Sequence, residues 1–228
     1  MLLNFIGRGS AFNVKEGNNS AYLKDNGELI LLDCGEGIFE RILEKEILND
    51  VTSLNIFITH MHSDHVGSLS SLLYYCFYMK KIVPKVYSAD DKLLDLLKIL
   101  GNVEGRDFEF IKLKIEENVS IGAVKISPVK VEHIDSANCY GYLIDYKNKL
   151  IWYSGDCRGV SDIINKYDID EFYQDTCLAH YEGNNHTSLR TLCLSVPKDK
   201  RNKIYCMHID CSELIEKAEQ EGFNVVKL

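Results

Sequence analysis

Short apolar runs alternate with turn residues over the first third of the chain. Leu2–Ile6 reads as a strand. Ala21–Lys24 and Leu29–Asp33 read as two more, joined by the turn "DNGE". The period then changes. Ile38, Phe39, Ile42, Leu43 and Ile47 recur at helical spacing and predict a helix within "EGIFERILEKEIL". Leu54–Thr59 is a short apolar run of the kind a buried strand uses, and "VGSLSSLLYYCFYM" after it predicts a buried helix. The second half repeats the alternation loosely. "KVYSA" reads as a strand and "DDKLLDLLKILG" as a helix stopped by Gly101. Strands follow near Phe108–Leu113, Ala123–Val131, Tyr140–Asp145, Leu150–Ser154, Glu171–Tyr173 and Ile204–Met207. Short helices are expected over Val160–Lys166, Ser188–Ser195 and Cys211–Glu221. Two mostly stranded halves, each with helices, bury their apolar faces best as two packed sheets with helices outside, an α/β arrangement.

Composition narrows the class. The chain has 228 residues, 46% hydrophobic and 26% charged, which is globular and enough for a sizeable core. No apolar run reaches the ~20 residues of a membrane span. "MLLNFIGRGS" has no basic segment followed by a long apolar one, so no signal peptide and a cytoplasmic location are expected. The eight cysteines form no C-x-x-C pair and are expected as reduced thiols. A net charge of −8 weighs against broad affinity for a polyanion.

The chemistry concentrates in "FITHMHSDHVGSL". Three of the chain's seven histidines, His60, His62 and His65, stand there with Asp64, directly after an apolar strand. Imidazole and carboxylate at this spacing suit first-row metals, zinc above all. His60 and His62 can project to one side of an extended segment while Asp64 and His65 reach a neighbouring position, which points to two metals. A solvated polar turn is the plain alternative. Further ligands are on offer. His133 in "VKVEHIDS", Asp156 in "WYSGDCRG" and His208 in "IYCMHID" each follow an apolar run, so strand ends gathered on one edge would bring them together. Gly7, Gly9, Gly35 and Gly37 flank strand ends and are expected to permit positive-φ turns. Asp33 either fixes a ligand loop or caps the helix after "CGEG".

"THMHSDH" resembles the H-x-H-x-D-H signature of the metallo-β-lactamase superfamily, and "LLDCGEG", His133, "YSGDC" and "CMHID" follow the superfamily's order over essentially the whole chain. The resemblance implies a single metallo-β-lactamase-like domain over residues 1–228. Its fold would be an αββα sandwich of two mixed sheets packed face to face, with the site at one edge. It implies two divalent transition metals, zinc foremost, with manganese or iron as alternatives. His60, His62 and His133 would hold the first, Asp64, His65 and His208 the second, and Asp156 would bridge them.

Within the superfamily, "NFIGRGSAF", "NNSAYL", "LLDCGEGIFERIL", "CYGYLI" and "SGDCR" resemble ribonuclease Z and related small phosphodiesterases. That resemblance gives His186 of "NNHTSL" the role of general acid or transition-state donor, oriented by Asp175 of "YQDTC" where ribonuclease Z has Glu. The plain alternative for His186 is a helix-capping or surface histidine. His180 matches no motif and reads as surface or supporting. The long tRNA-gripping arm has no counterpart here. The expected activity is therefore a binuclear metal-dependent phosphodiesterase using a metal-bridging hydroxide, with Asp64, His186 and Asp175 in the catalytic set. The expected substrate is a small phosphodiester, a cyclic nucleotide or a nucleic-acid end, with a folded tRNA disfavoured and a homodimer left open. Hydrolysis of a carboxylic ester, thioester or lactone is the alternative, and a metal-binding sensor without turnover a more distant one.

Overall fold

The computed structural model describes residues 1–160 and 162–228. The first sheet runs in the order β1 (Asn4–Gly7), β2 (Ser20–Asp25), β3 (Glu28–Leu32), β4 (Ser53–Phe57), β5 (Lys85–Ser88), β6 (Glu109–Lys112). β1 to β3 are antiparallel, and β3 to β6 are parallel. The second sheet contains β7 (Val119–Ile121), β8 (Val124–Val131), β9 (Cys139–Tyr146), β10 (Lys149–Tyr153), β11 (Glu171–Asp175), β12 (Ile204–Met207) and β13 (Asn224–Val225), ordered from β13 back to β7. β7 to β10 are antiparallel, and β10 to β13 are parallel.

Alternation along each central strand builds three apolar layers. Ile30, Leu32, Phe57 and Tyr87 of the first sheet face Tyr142, Ile144, Tyr153 and Tyr173 of the second. Leu29, Leu31 and Ile56 point the other way. They pack under α1 (Ile38–Glu44), α3 (Leu69–Tyr75) and α4 (Lys92–Ile99), with α2 (Ser63–Val66) a single turn before α3. Trp152, Phe172 and Cys206 pack beneath α6 (Leu189–Ser195) and α7 (Ser212–Gln220), and Ile163 of the short α5 (Ile163–Lys166) joins them. This is the expected αββα sandwich.

Several boundaries differ from the pattern. The expected helix "EGIFERILEKEIL" stops at Glu44, because Glu46 turns left-handed (φ 53°) and sends Ile47 and Leu48 into the core from a turn. The helix expected from Val66 is split. α2 carries Asp64 and His65, α3 starts at Leu69, and Cys76–Lys80 continues as a wider π-helical turn ending at left-handed Lys81 (φ 59°). Of the helix expected over Val160–Lys166, Ile163–Lys166 is helical, and Ser161 lies outside the described residues. β7 and β13, three and two residues long, are too short to show a period.

The strand directions place the chemistry. β3, β4, β8, β10, β11 and β12 all run towards the same edge of the sandwich. Hydrogen bonds seam the sheets there, among them Tyr142 Oη donating to the Ile58 carbonyl (2.6 Å) and the Tyr140 amide to the Thr59 carbonyl (3.1 Å).

Candidate metal centre and active site

Asp33 leaves β3 in a left-handed conformation (φ 63°), which turns its carboxylate across the end of β4. There Oδ1 accepts from the Thr59 amide (2.8 Å), and Oδ2 accepts from Thr59 Oγ1 (2.9 Å) and His65 Nδ1 (2.9 Å). Of the two roles open to Asp33, holding the ligand loop is the one observed. At the start of α1 the Phe39 amide is taken by Ser68 Oγ (3.1 Å) and the Gly37 amide by Asn18 Oδ1 (3.2 Å), not by Asp33. With Nδ1 bound, His65 presents Nε2 to the site.

On one side, His60 Nε2 lies 3.0 Å from His62 Nδ1, which lies 3.4 Å from His133 Nε2. His133 donates its Nδ1–H to the Asn185 carbonyl (2.8 Å), which fixes the ring the same way. On the other side, His208 Nε2 lies 3.4 Å from Asp64 Oδ2 and 3.4 Å from Asp156 Oδ2. His208 itself is left-handed (φ 58°), a conformation that swings its ring inward from the end of β12. Asp156 lies between the halves. Its Oδ2 is 3.8 Å from His60 Nε2 and 3.7 Å from His133 Nε2, and its Oδ1 is 3.2 Å from His65 Nε2.

His60, His62, His133 and Asp156 form one group whose ligand atoms lie within 4.8 Å of one another, and Asp64, His65, Asp156 and His208 form a second. The structure brings together the seven residues that the resemblance implies, and Asp156, Asp175, His186 and His208 form a third group at the same spacing. Two observations fit them to cations. Asp156 Oδ1 and His65 Nε2 are fully buried and without a hydrogen bond, although 3.2 Å apart. Imidazole nitrogens and carboxylate oxygens from several loops also converge within 4.8 Å, a donor set that suits a divalent cation.

The two groups differ in protonation. Burial and the neighbouring His65 hold His60 well below its ordinary value, and burial lowers His133. Burial also opposes charge on His65 and His208, but Asp156 with Asp33 raises His65 well above the ordinary value. Asp156 with Asp175 raises His208 to about 10. Burial would raise Asp156, yet His208, His65 and His60 hold it well below the carboxylate range.

His186 and Asp175 are paired beside the second group. His186 Nδ1 donates to Asp175 Oδ2 at 2.8 Å, its ring stacks on His208 (4.8 Å between centroids), and its side chain is 28% exposed. Burial works against the His186 proton, but the Asp175 charge and hydrogen bond outweigh it and raise the group above its ordinary value. The capping alternative is not observed, because Ser188 caps α6 through Thr191. His180 stays on the surface, bonded to Ser188 Oγ (2.8 Å).

The glycine expectation needs correction. None of Gly7, Gly9, Gly35 or Gly37 has positive φ, and at strand ends Asp33 and His208 carry that geometry instead. Gly35 serves close approach, since a Cβ there would stand 2.0 Å from the Asp64 carbonyl. The sequence pattern does not single out Asn185 as the partner of His133, nor Arg158 as the partner of Asn185. The signal they carry is proximity in sequence, Asn185 next to His186 and Arg158 two residues after Asp156.

The profile of the family described as Anti-Pycsar protein Apyc1 matches residues 1–227. The chain belongs to that family. The Apyc1 protein of Paenibacillus harenae is 24% identical over 91% of this chain and 89% of its own. Ribonuclease Z of Methanococcus aeolicus is 28% identical over 65% of this chain and 48% of its own. Among solved structures, the metallo-β-lactamase fold protein YhfI of Bacillus subtilis superposes with TM-score 0.78 at 14% identity, over 98% of this chain and 94% of that one. A diphosphatase of the PhnP family gives 0.77 at 20% identity, over 98% and 94%. Together with the His/Asp groups, these relatives make the chain a metal-dependent hydrolase of the metallo-β-lactamase fold.

Proposed function

We propose that this hydrolase is a binuclear phosphodiesterase for a small phosphodiester, with a cyclic nucleotide the first substrate to test and a nucleic-acid end the second. The observation that carries the reading is the Asp175–His186 pair. It is not needed to complete the groups around His60 and His65, although with Asp156 and His208 it forms a third close group, and it sets a hydrogen-bonded, partly exposed imidazole beside the candidate ligands. Cleaving a phosphodiester expels an alkoxide, which needs a proton or an equivalent charge partner far more than a phenolate or thiolate does. The names ribonuclease Z and diphosphatase, borne by a relative and a structural neighbour, agree with chemistry at phosphorus.

In this reading His60, His62 and His133 hold one divalent ion, Asp64, His65 and His208 the other, and Asp156 both. Zinc is first choice for this donor set. Bound there, the ions would lower the pKa of water to about 7 and neutralise a phosphoryl oxygen. The chain's own residues do the rest. Asp33 and the Asn185 carbonyl hold His65 and His133 in the metal-facing tautomer. Asp175 aims His186, which donates to the departing oxygen. A cleft of about 360 Å³ beside His133, lined in part by Lys130, Ser136, Asn138 and Arg158, suits a ligand of nucleotide size better than a folded tRNA.

The test is a panel run on protein of measured metal content. It comprises 3′,5′-cyclic nucleotides, bis(p-nitrophenyl) phosphate, a short oligonucleotide, a thioester and a lactone. Turnover of cyclic nucleotides ahead of the others supports the reading. Preference for the thioester or lactone would replace it with carbonyl chemistry.

A further inference from the structure

Arg158 lies two residues beyond Asp156 and outside the ring of candidate ligands. Its Nε and Nη2 both donate to Asn185 Oδ1, at 3.1 and 2.6 Å. Its amide donates to the Glu132 carbonyl (2.5 Å), next to His133, and its Nη1 reaches Asp135 Oδ1 (3.4 Å). Asn185 in turn faces three ways. Its side chain takes the guanidinium, its carbonyl takes His133 Nδ1–H at 2.8 Å, and the next residue is His186. The loops after β8, β10 and β11 therefore meet at one residue, and one cation holds that residue.

We propose that Arg158 is a positioning residue. By clamping the Asn185 side chain it fixes one peptide, and that peptide sets both the His133 ring and the start of the His186 segment. The inference rests on His133 being a ligand and His186 the proton donor. Two donors converging on one amide oxygen restrain Asn185 in distance and in rotation, which the planar guanidinium can do and a lysine ammonium cannot. The contact to Asp135 contributes little, because that carboxylate is 95% exposed. Asn185 can supply its backbone carbonyl to His133 whatever its side chain is. The role of the side chain, and of Arg158 behind it, is to keep that carbonyl in place. Partners of this kind typically change metal affinity by about 10–100-fold when removed.

The test uses Arg158→Ala, Arg158→Lys and Asn185→Ala in the full chain, with folding checked by circular dichroism. Metal-free protein is titrated with zinc against a chromophoric chelator, and with cobalt for its absorption spectrum. Arg158→Ala is expected to weaken one of the two metal equivalents about 10-fold and to alter the cobalt bands of that equivalent alone. Asn185→Ala should reproduce both changes, the double variant should add little, and Arg158→Lys should not restore them. Against whichever ester the enzyme turns over, kcat should fall with KM within about twofold. Unchanged metal affinity and cobalt spectrum in Arg158→Ala, with a raised KM, would make Arg158 a substrate-binding residue and overturn the proposal. No change in any readout would overturn it equally. Should Arg158→Ala fail to fold, Asn185→Ala decides alone. The metal and spectral readouts need no substrate, so they separate failure of this inference from failure of the phosphodiester assignment.

Discussion

Asp175 Oδ2 accepts a hydrogen bond from His186 Nδ1 at 2.8 Å, while its other oxygen lies 3.3 Å from His208 Nδ1. One buried carboxylate thus orients the candidate acid and sets its charge against a candidate metal ligand. The Cys157 amide, donating to Oδ2 at 3.0 Å, holds it in place.

The first prediction follows from that division. His186→Ala should keep fold and metal content. With an alkyl leaving group it should cost about 10²–10⁴ in rate, and with p-nitrophenolate much less. Asp175→Asn should cost more than orientation of His186 alone, because it also removes charge facing His208, and it should weaken metal binding. The Asp175 charge and hydrogen bond outweigh burial and raise His186 above its ordinary value, so it keeps its proton to higher pH than a free imidazole. Turnover of poor leaving groups should therefore fall as pH rises through that raised pKa, and His186→Ala should lack this alkaline limb. Equal losses for both leaving groups would point to substrate binding instead.

The second prediction concerns protons and metal. His60 and His133 are lowered and enter the first group already neutral, whereas His65 and His208 are raised and enter the second charged. A metal ion binds only neutral imidazole, so filling the second group must expel protons. Affinity there should rise with pH, by about tenfold per unit for each proton released, up to the raised pKa values, and more steeply than at the first group, where His60 and His133 are lowered. Calorimetry in buffers of differing ionisation enthalpy counts the protons. Equal proton release for the two equivalents would contradict the asymmetry.

The same residues explain how much was legible in the sequence. The candidate ligands could be singled out because each follows an apolar run and together they resemble a known motif order, and strands running the same way bring such positions to one edge. The sandwich could be read because the strand periods are intact. What could not be read depends on backbone twist rather than residue type. Asp33 and His208 adopt left-handed conformations that no local pattern announces. The Asn185 carbonyl is a group every residue owns, so only the fold selects it as the partner of His133. Gly35 was visible as a glycine, but its reason, contact with Asp64, is a matter of tertiary distance.

A third prediction tests the bridge. Asp156 approaches His60, His133, His65 and His208, all within 3.8 Å. Asp156→Ala should lower the affinity of both equivalents, while His62→Ala should lower one. Metal analysis after dialysis against micromolar zinc reads the stoichiometry. Retention of one full-affinity ion in Asp156→Ala would remove its bridging role. In metal-free protein Asp156→Ala also leaves the raised His65 and His208 without their largest stabilising charge, so both should titrate lower.

The last prediction concerns the floor beneath Asp64. A Cβ on Gly35 would stand 2.0 Å from the Asp64 carbonyl and 2.6 Å from the Asn18 Cβ, contacts that require backbone to move. The neighbouring hydrogen bonds leave little room for that movement: the Cys34 amide donates to the His65 carbonyl (2.7 Å) and Ser68 Oγ to the Gly35 carbonyl (2.5 Å). Gly35→Ala should therefore destabilise the fold by about 1–3 kcal/mol and push α2, with Asp64 and His65, out of register with His208. Gly37→Ala is the control, since a Cβ there meets nothing within 4 Å and φ is −92°. Thermal melts with and without zinc separate the effects. If the displacement reaches the metal site, zinc should stabilise Gly35→Ala less than it stabilises wild type or Gly37→Ala. An equal zinc-dependent rise in Tm for all three would confine the Gly35 effect to packing and leave Asp64 where the wild-type backbone holds it.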